Sequence, residues 1–345
     1  MRQIQPLVDT KVGGPAESAL VLRLIRDVEL CAPARIPYDS LRKRMRRALR
    51  GEGLHMDRET ELAVIRRAYA KQILNAVGVR DARIEAAYAT VRREDFLGPG
   101  PWQFFRWVNN YVPTPDADPV YLYTDDLIGI APERRINNGQ PSLHAALIAK
   151  AMPREGEHVV HVGAGVGYYT AILAHLVGPT GHVTGIEFEA DLAARARANF
   201  SDIANVEIIH GDGAVVPFAT ADVIYVSAGA TYPAPAWLDG LADGGRLILP
   251  LTTGMGVTPG SAVPIIGRKG AVFRIERCGT EYLAAWISPV AIFPCAGSRD
   301  SGSEAALAAA FDKGNWQKVS RLYRSDDIPP ERCWVRAPGW CLAYS

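Results

Sequence analysis

The chain has 345 residues, 48% of them hydrophobic, and a formal charge of +1 from 38 basic and 37 acidic side chains, which suits a globular protein with one large domain and an accessory one. So even a balance gives no general attraction to nucleic acid or to a membrane surface. The N-terminus carries no apolar core of signal type, and no stretch approaches the roughly 20 apolar residues of a spanning helix, so a cytoplasmic protein is expected. The five cysteines, Cys31, Cys278, Cys295, Cys333 and Cys341, are odd in number and contain no C-x-x-C. Neither a disulfide framework nor a metal site is therefore expected.

Residues 1–78 read as a helical extension. Leu20, Leu24, Val28 and Cys31 recur at helical spacing, as do Leu62, Ile65, Tyr69, Ile73 and Val77. Between them, SLRKRMRRALR crowds six basic side chains onto one short helix. No aromatic residues interleave them, so a solvated face is the plainer reading than a nucleic-acid contact.

From residue 81 a capped short helix runs into a Pro/Gly-rich loop and then into an aromatic segment. Trp102, Phe104, Phe105, Trp107, Tyr111, Tyr121 and Tyr123 fall within little more than twenty residues. Rings at this density are buried in a core or against a ligand, and two readings stay open here: packing of the core, or a wall of a binding pocket.

Beyond Pro141 the pattern becomes regular. PSLHAALIAKAM reads as a helix, HVVHV as a strand, YYTAILAHLVG as a helix, and HVTGIE, VEIIHG, DVIYVS and GRLILPL as further strands, with EADLAARARANF helical after HVTGIE. Val/Ile/Leu-rich strands alternating with helices predict a doubly wound, mostly parallel, Rossmann-like α/β sheet covered on both faces. Such sheets bind ligands beyond the carboxyl ends of their strands. Gly163, Gly165 and Gly167 stand there, at the turn from the first strand into its helix.

The dinucleotide fingerprint G-x-G-x-x-G needs a glycine at position 168, where this chain has Tyr168, which disfavours a nicotinamide oxidoreductase. Glu187 closes the second strand, where a carboxylate can accept from a ribose diol. Asp212 follows the third, and Gly213 beside it is expected to leave room for a flat base. An adenosine without a pyrophosphate fits these three positions, and S-adenosylmethionine is such a ligand.

VVHVGAGVGYYTAILA, VTGIE, NVEIIHGDG, DVIYVSAGA and LADGGRLILPL together resemble the protein L-isoaspartate (D-aspartate) O-methyltransferases, a branch of the class I S-adenosylmethionine-dependent methyltransferases. The resemblance runs from RIEAAYATVRREDFL to PVAIFPC, so residues 79–297 are expected as the methyltransferase domain and residues 298–345 as a C-terminal extension. It implies S-adenosyl-L-methionine as cofactor. His161, Gly163, Ala164, Gly165 and Gly167 would line its methionine and ribose portion, Glu187 its ribose hydroxyls, Asp212 and Gly213 its adenine, and Ser227 with Ala228 the floor beneath the sulfonium. Asn138, Gly139, Gln140 and His144 would line the acceptor side.

Two departures stand out. His161 occupies a first-strand position that the family fills with an acidic residue. Asn137-Asn138-Gly139 replaces the family's Thr-Ile-Ser, so the acceptor-loop hydroxyl is missing and a serine restored at position 139 is expected to improve methylation of an isoaspartyl peptide. The resemblance implies methyl transfer to a carboxylate of a peptide or protein, an acceptor that is ionised at neutral pH and needs no general base. For an alcohol or amine acceptor, His144 would be the base; its alternative is a packed helix histidine. Two other readings stand beside carboxyl transfer: a relative altered or lost in catalysis that binds S-adenosylmethionine and a partner, and a methyltransferase for a modified peptide or small molecule.

Overall fold

The computed structural model describes residues 57–106, 110–254 and 270–345. The helices expected over residues 16–31 and 40–50, and Trp107, lie outside the described residues. The helix expected from residue 57 is α1 (Arg58–Ala76), whose Leu62, Tyr69, Ile73 and Leu74 are buried along one stripe. Asp81 caps α2 (Ala82–Thr90), accepting from Arg83 N at 2.8 Å. The short α3 (Glu94–Leu97) follows directly.

The aromatic segment builds a small antiparallel sheet. Its strands are β1 (Gln103–Arg106), β2 (Asn110–Pro113), β3 (Ile128–Ala131) and β4 (Ile136–Asn137), in the order β2-β1-β3-β4. The described rings of this segment go to packing and to the support of neighbouring residues. Trp102, Phe104 and Tyr123 join the main core cluster. Phe105 instead meets Phe293 edge to face at 6.1 Å, and Tyr111 donates from its hydroxyl to Asn137 Oδ1 at 2.7 Å.

Pro141 opens α4 (Pro141–Ala151) at a position where no N–H is needed, and Asp125 supplies the missing cap from a distance, accepting from Ser142 N at 2.7 Å and from its hydroxyl at 2.6 Å. Then comes the expected alternation: β5 (His158–Val162), α5 (Tyr168–Val177), β6 (His182–Glu187), α6 (Ala190–Asn199), β7 (Val206–His210), β8 (Ala221–Val226), α7 (Pro235–Gly240) and β9 (Leu241–Thr252). β7, β6, β5, β8 and β9 lie side by side in that order, each parallel to its neighbours. Period-two alternation splits their side chains between two cores. Val159, Val223, Tyr225 and Ile248 face the cluster of α1, α2, α4 and α5, while Val160, Ile224 and Leu247 face the other.

The sheet does not stop at β9. β10 (Gly270–Cys278) and β11 (Glu281–Pro289) continue it antiparallel, and after α8 (Ser301–Lys313) so do β12 (Val319–Tyr323), β13 (Cys333–Ala337) and β14 (Trp340–Tyr344). Ten strands form one sheet in the order β13-β14-β12-β11-β10-β9-β8-β5-β6-β7. Residues 298–345, expected as a C-terminal extension, supply β12, β14 and β13 at one side of this sheet, and Phe311, Trp334 and Trp340 complete the second core. Among the described residues no helix is long and apolar enough to cross a membrane.

Candidate functional site

A cavity of about 1060 Å³ opens at the carboxyl ends of the parallel strands. It slightly exceeds the usual 300–1,000 Å³ of small-molecule sites, which leaves room for two reactants. The structure brings Asn138, Gly139, Gln140 and His144 to it from the loop before α4 and the first turn of that helix. From the sheet come Gly163, Ala164, Gly165, Glu187, Asp212, Gly213 and Ser227. His161 and Gly167 are absent from its lining.

The glycine turn owes its composition to backbone conformation. Gly163 and Gly165 hold φ of 81° and 57°, in the left-handed region that L side chains resist. Gly167 serves a different end: it starts α5 at φ 98°, and a Cβ there would lie 3.0 Å from Phe200 Cζ and closer still to Cε2. It packs α5 against Phe200, which corrects its expected place beside the cofactor. Tyr168, the residue that breaks the dinucleotide fingerprint, is fully buried, with the Arg93 guanidinium 5.5 Å from its ring centre.

Glu187 is 6% exposed and ties the turn together. Its Oε2 accepts from Gly165 N at 2.6 Å and its Oε1 from Glu189 N at 2.9 Å. Burial raises its pKa, and the two N–H donors oppose that shift by favouring the anion. Each oxygen keeps acceptor capacity for a ligand hydroxyl. Asp212 accepts from Ala214 N at 2.9 Å, and Gly297 lies directly against its carboxylate. Gly213 lines the cavity, and a Cβ there would fall 2.5 Å from Val162 Cγ1, so its missing side chain also makes room for β5.

His161 acts from behind the cavity. Fully buried, it sits between Thr170 Oγ1, 2.8 Å from Nδ1, and Ser227 Oγ, 2.6 Å from Nε2. Burial pushes its pKa down to about 3, so the ring is neutral and has one donor and one acceptor nitrogen for the two hydroxyls. It fixes the hydroxyl of Ser227, which lines the cavity, while its own ring does not.

His144 is held as tightly. Its Nδ1 lies 2.8 Å from Tyr225 Oη, and its ring stacks on Tyr169 with centroids 3.6 Å apart and planes 11° off parallel. Tyr169 in turn donates to Gly139 O at 3.0 Å. Burial sets the His144 pKa well below the ordinary histidine value, so the imidazolium that proton abstraction would create is disfavoured. Gln140 donates from Nε2 to Asp125 Oδ2 at 2.9 Å, and Asn138 is nine-tenths buried, its carbonyl accepting from Arg93 at 3.4 Å.

Several cavity residues carried no mark in the sequence. Phe188, 47% exposed, follows Glu187 at the mouth; an aromatic residue directly after a strand-end carboxylate is a signal that could have found it. The stretch from Pro289 to Gly297 forms a whole wall, and Ile130 and Arg135 reach in from the small sheet. No local pattern announces these.

A sequence model of the family described as protein-L-isoaspartate(D-aspartate) O-methyltransferase (PCMT) matches residues 71–259. Protein-L-isoaspartate O-methyltransferase 1 of Rhodopseudomonas palustris (strain HaA2) is 34% identical over 197 residues, covering 56% of this chain and 72% of its own length. The protein-L-isoaspartate O-methyltransferase of Methanoregula boonei is 33% identical over 204 residues, covering 58% of this chain and 82% of its own. Among solved structures, a protein-L-isoaspartate O-methyltransferase superposes with a TM-score of 0.54 at 23% identity, covering 76% of this chain and 74% of that one. Another, from Plasmodium falciparum in complex with S-adenosyl-L-homocysteine, gives 0.51 at 18% identity, covering 67% and 97%. At these identities the two structures speak for the fold.

Proposed function

Since the chain belongs to the protein-L-isoaspartate(D-aspartate) O-methyltransferase family, we propose that it transfers a methyl group from S-adenosylmethionine to a carboxylate of a peptide or protein. The cavity fits that cofactor: a left-handed glycine turn allows close backbone approach, and a buried carboxylate with acceptor capacity to spare stands opposite. Gly163, Ala164 and Gly165 would hold the methionine and ribose portion, Glu187 the ribose hydroxyls, Asp212 the adenine side, and Ser227 the floor. When bound, the cofactor supplies a methyl group made electrophilic by its sulfonium.

The carboxylate reading rests on the condition of His144. Transfer to an alcohol or amine needs a base to take a proton. The one imidazole at the acceptor loop is buried, neutral, stacked and bonded to Tyr225. A carboxylate is already anionic at neutral pH and asks the protein only for alignment and exclusion of water. The loop before α4 supplies the alignment. Arg93 donates to the carbonyls of Leu122, Thr124, Asp126 and Asn138 at 2.7 to 3.4 Å, and Tyr169 fixes the Gly139 carbonyl. A cytoplasmic setting agrees with such an enzyme.

The test is incubation with methyl-labelled S-adenosylmethionine and an isoaspartyl peptide, followed by mild base. The expected label is a base-labile ester that releases methanol. Label in a base-stable linkage, or no transfer to any carboxylate peptide, would refute the reading.

A further inference from the structure

The acceptor itself can be narrowed further, on the premise that the reading above holds. Three arginines line the cavity. Arg134 is neutralised by Glu189 at 2.5 Å and Asp191 at 2.6 Å. Arg299 pairs with Glu304 at 3.2 Å and donates to Gly229 O at 3.1 Å. Arg135 has no carboxylate partner within ion-pair distance among the described residues.

Its backbone makes the choice of residue more pointed. Arg135 holds φ 58° and ψ 31°, a left-handed conformation that L side chains other than Asn and Asp seldom take. The conformation is imposed from both sides: Arg135 N donates to Pro132 O at 3.0 Å, and its carbonyl accepts from Asn137 Nδ2 at 3.1 Å. Asn137 is in turn held by the Tyr111 hydroxyl. A cation is thus carried by a hydrogen-bonded, left-handed turn on the cavity wall, half-buried and without a carboxylate partner among the described residues. Strain of this kind gathers at ligand clamps.

We propose that Arg135 is a specificity-determining residue that selects methyl acceptors carrying a second anionic group beside the carboxylate to be methylated, such as a flanking acidic side chain. It does not serve the attacking carboxylate. A guanidinium on the attacking oxygen would draw off the electron density that the reaction uses, so Arg135 on the cavity wall is assigned to a neighbouring group of the acceptor. At such a position a charge pair contributes selectivity and ionic-strength dependence more than raw affinity.

The experiment is calorimetry on the protein loaded with S-adenosylhomocysteine, using an isoaspartyl peptide flanked by two glutamates and its glutamine-flanked counterpart. Wild type is expected to favour the acidic peptide by about three- to fivefold at low ionic strength, as for a partly exposed ion pair, and to lose the preference in 0.5 M salt on the order of a Debye length below 5 Å. Arg135→Gln and Arg135→Gly should both bind the two peptides equally, with S-adenosylhomocysteine affinity unchanged. The glycine variant, free of the left-handed strain, should melt no lower than wild type. Equal binding or no binding of the two peptides by wild type would overturn the proposal, as would a preference that survives Arg135→Gln. So would a matching loss of S-adenosylhomocysteine affinity, which would put Arg135 on the cofactor's own carboxylate. Turnover is scored separately: a charge preference without methylation of either peptide defeats carboxyl transfer alone, and methylation without a preference defeats the role of Arg135 alone.

Discussion

Gly139 and His144 occupy each other's space: a Cβ on Gly139 would lie 2.6 Å from His144 Cδ2 and closer still to Nε2. The expectation that a serine at 139 would improve activity is therefore reversed for the single substitution. Gly139→Ser forces the imidazole off Tyr169 and Tyr225 and should destabilise the protein by about 1–3 kcal/mol, the usual range for overpacking, with no gain in isoaspartyl methylation. In Gly139→Ser/His144→Ala the clash is gone. A double-mutant cycle by chemical denaturation should show the pair less destabilised than the sum of the single variants; additive costs would mean that the two residues do not compete.

Glu187 is expected to be the main determinant of cofactor affinity. Glu187→Ala should weaken S-adenosylhomocysteine binding by about 1.5–3 kcal/mol, as for hydrogen bonds to a charged group. Part of that loss comes through the turn, because Gly165 N loses its acceptor. Glu187→Gln keeps one amide oxygen and should fall between the two. Calorimetric titration checks the order.

Acid should destabilise the protein through His161. Its folded pKa of about 3 lies below the ordinary 6.5, so the unfolded chain takes up the proton first as the pH falls. The stability is intact above about pH 6.5 and declines from there toward pH 3, by about 1.4 kcal/mol per pH unit for one such group. His144 shifts in the same direction and adds to the slope. Denaturant melts at pH 7, 6, 5 and 4 should show a shallower decline for His161→Gln than for wild type.

The aromatic segment should separate under mutation as it separates in space. Trp102→Ala and Phe104→Ala remove fully packed rings and should cost about 3–5 kcal/mol of stability. Tyr111→Phe deletes only the hydroxyl that holds Asn137, so KM for the acceptor should rise while S-adenosylhomocysteine affinity and Tm stay near wild type. Steady-state kinetics with a thermal melt on each variant distinguishes support of the cavity residue Asn137 from core packing.

The buried Arg93 guanidinium should prove sensitive to even conservative change. It joins the loop of residues 122–126 to the acceptor loop through backbone carbonyls alone. Arg93→Lys has three donors on a single nitrogen and cannot span both loops. A fall in kcat larger than the change in cofactor affinity is expected, read from single-turnover rates and calorimetry on the folded variant.

The sequence by itself determined the parallel half of the sheet, the helix from residue 58, and the position of the glycine turn at the end of β5. Those features are written locally: apolar runs of strand length, helical spacing at Leu62, Tyr69 and Ile73, and glycines where φ must be positive. It also marked Glu187 and Asp212, because strand ends on one edge of a parallel sheet converge whatever else the fold does. What each residue at the site touches was decided by tertiary structure. Gly167 looks like a ligand glycine in the sequence but lies outside the cavity lining, packed by Phe200, and Gly213 both lines the cavity and packs against Val162, contacts that come from distant positions. His161 looks like a lost carboxylate and is the support of Ser227. The antiparallel strands from 270 to 344, the wall from Pro289 to Gly297 and the place of Arg135 on the cavity arise from pairings between remote segments, and neither residue periodicity nor spacing carries information about which remote segment will fill a given space.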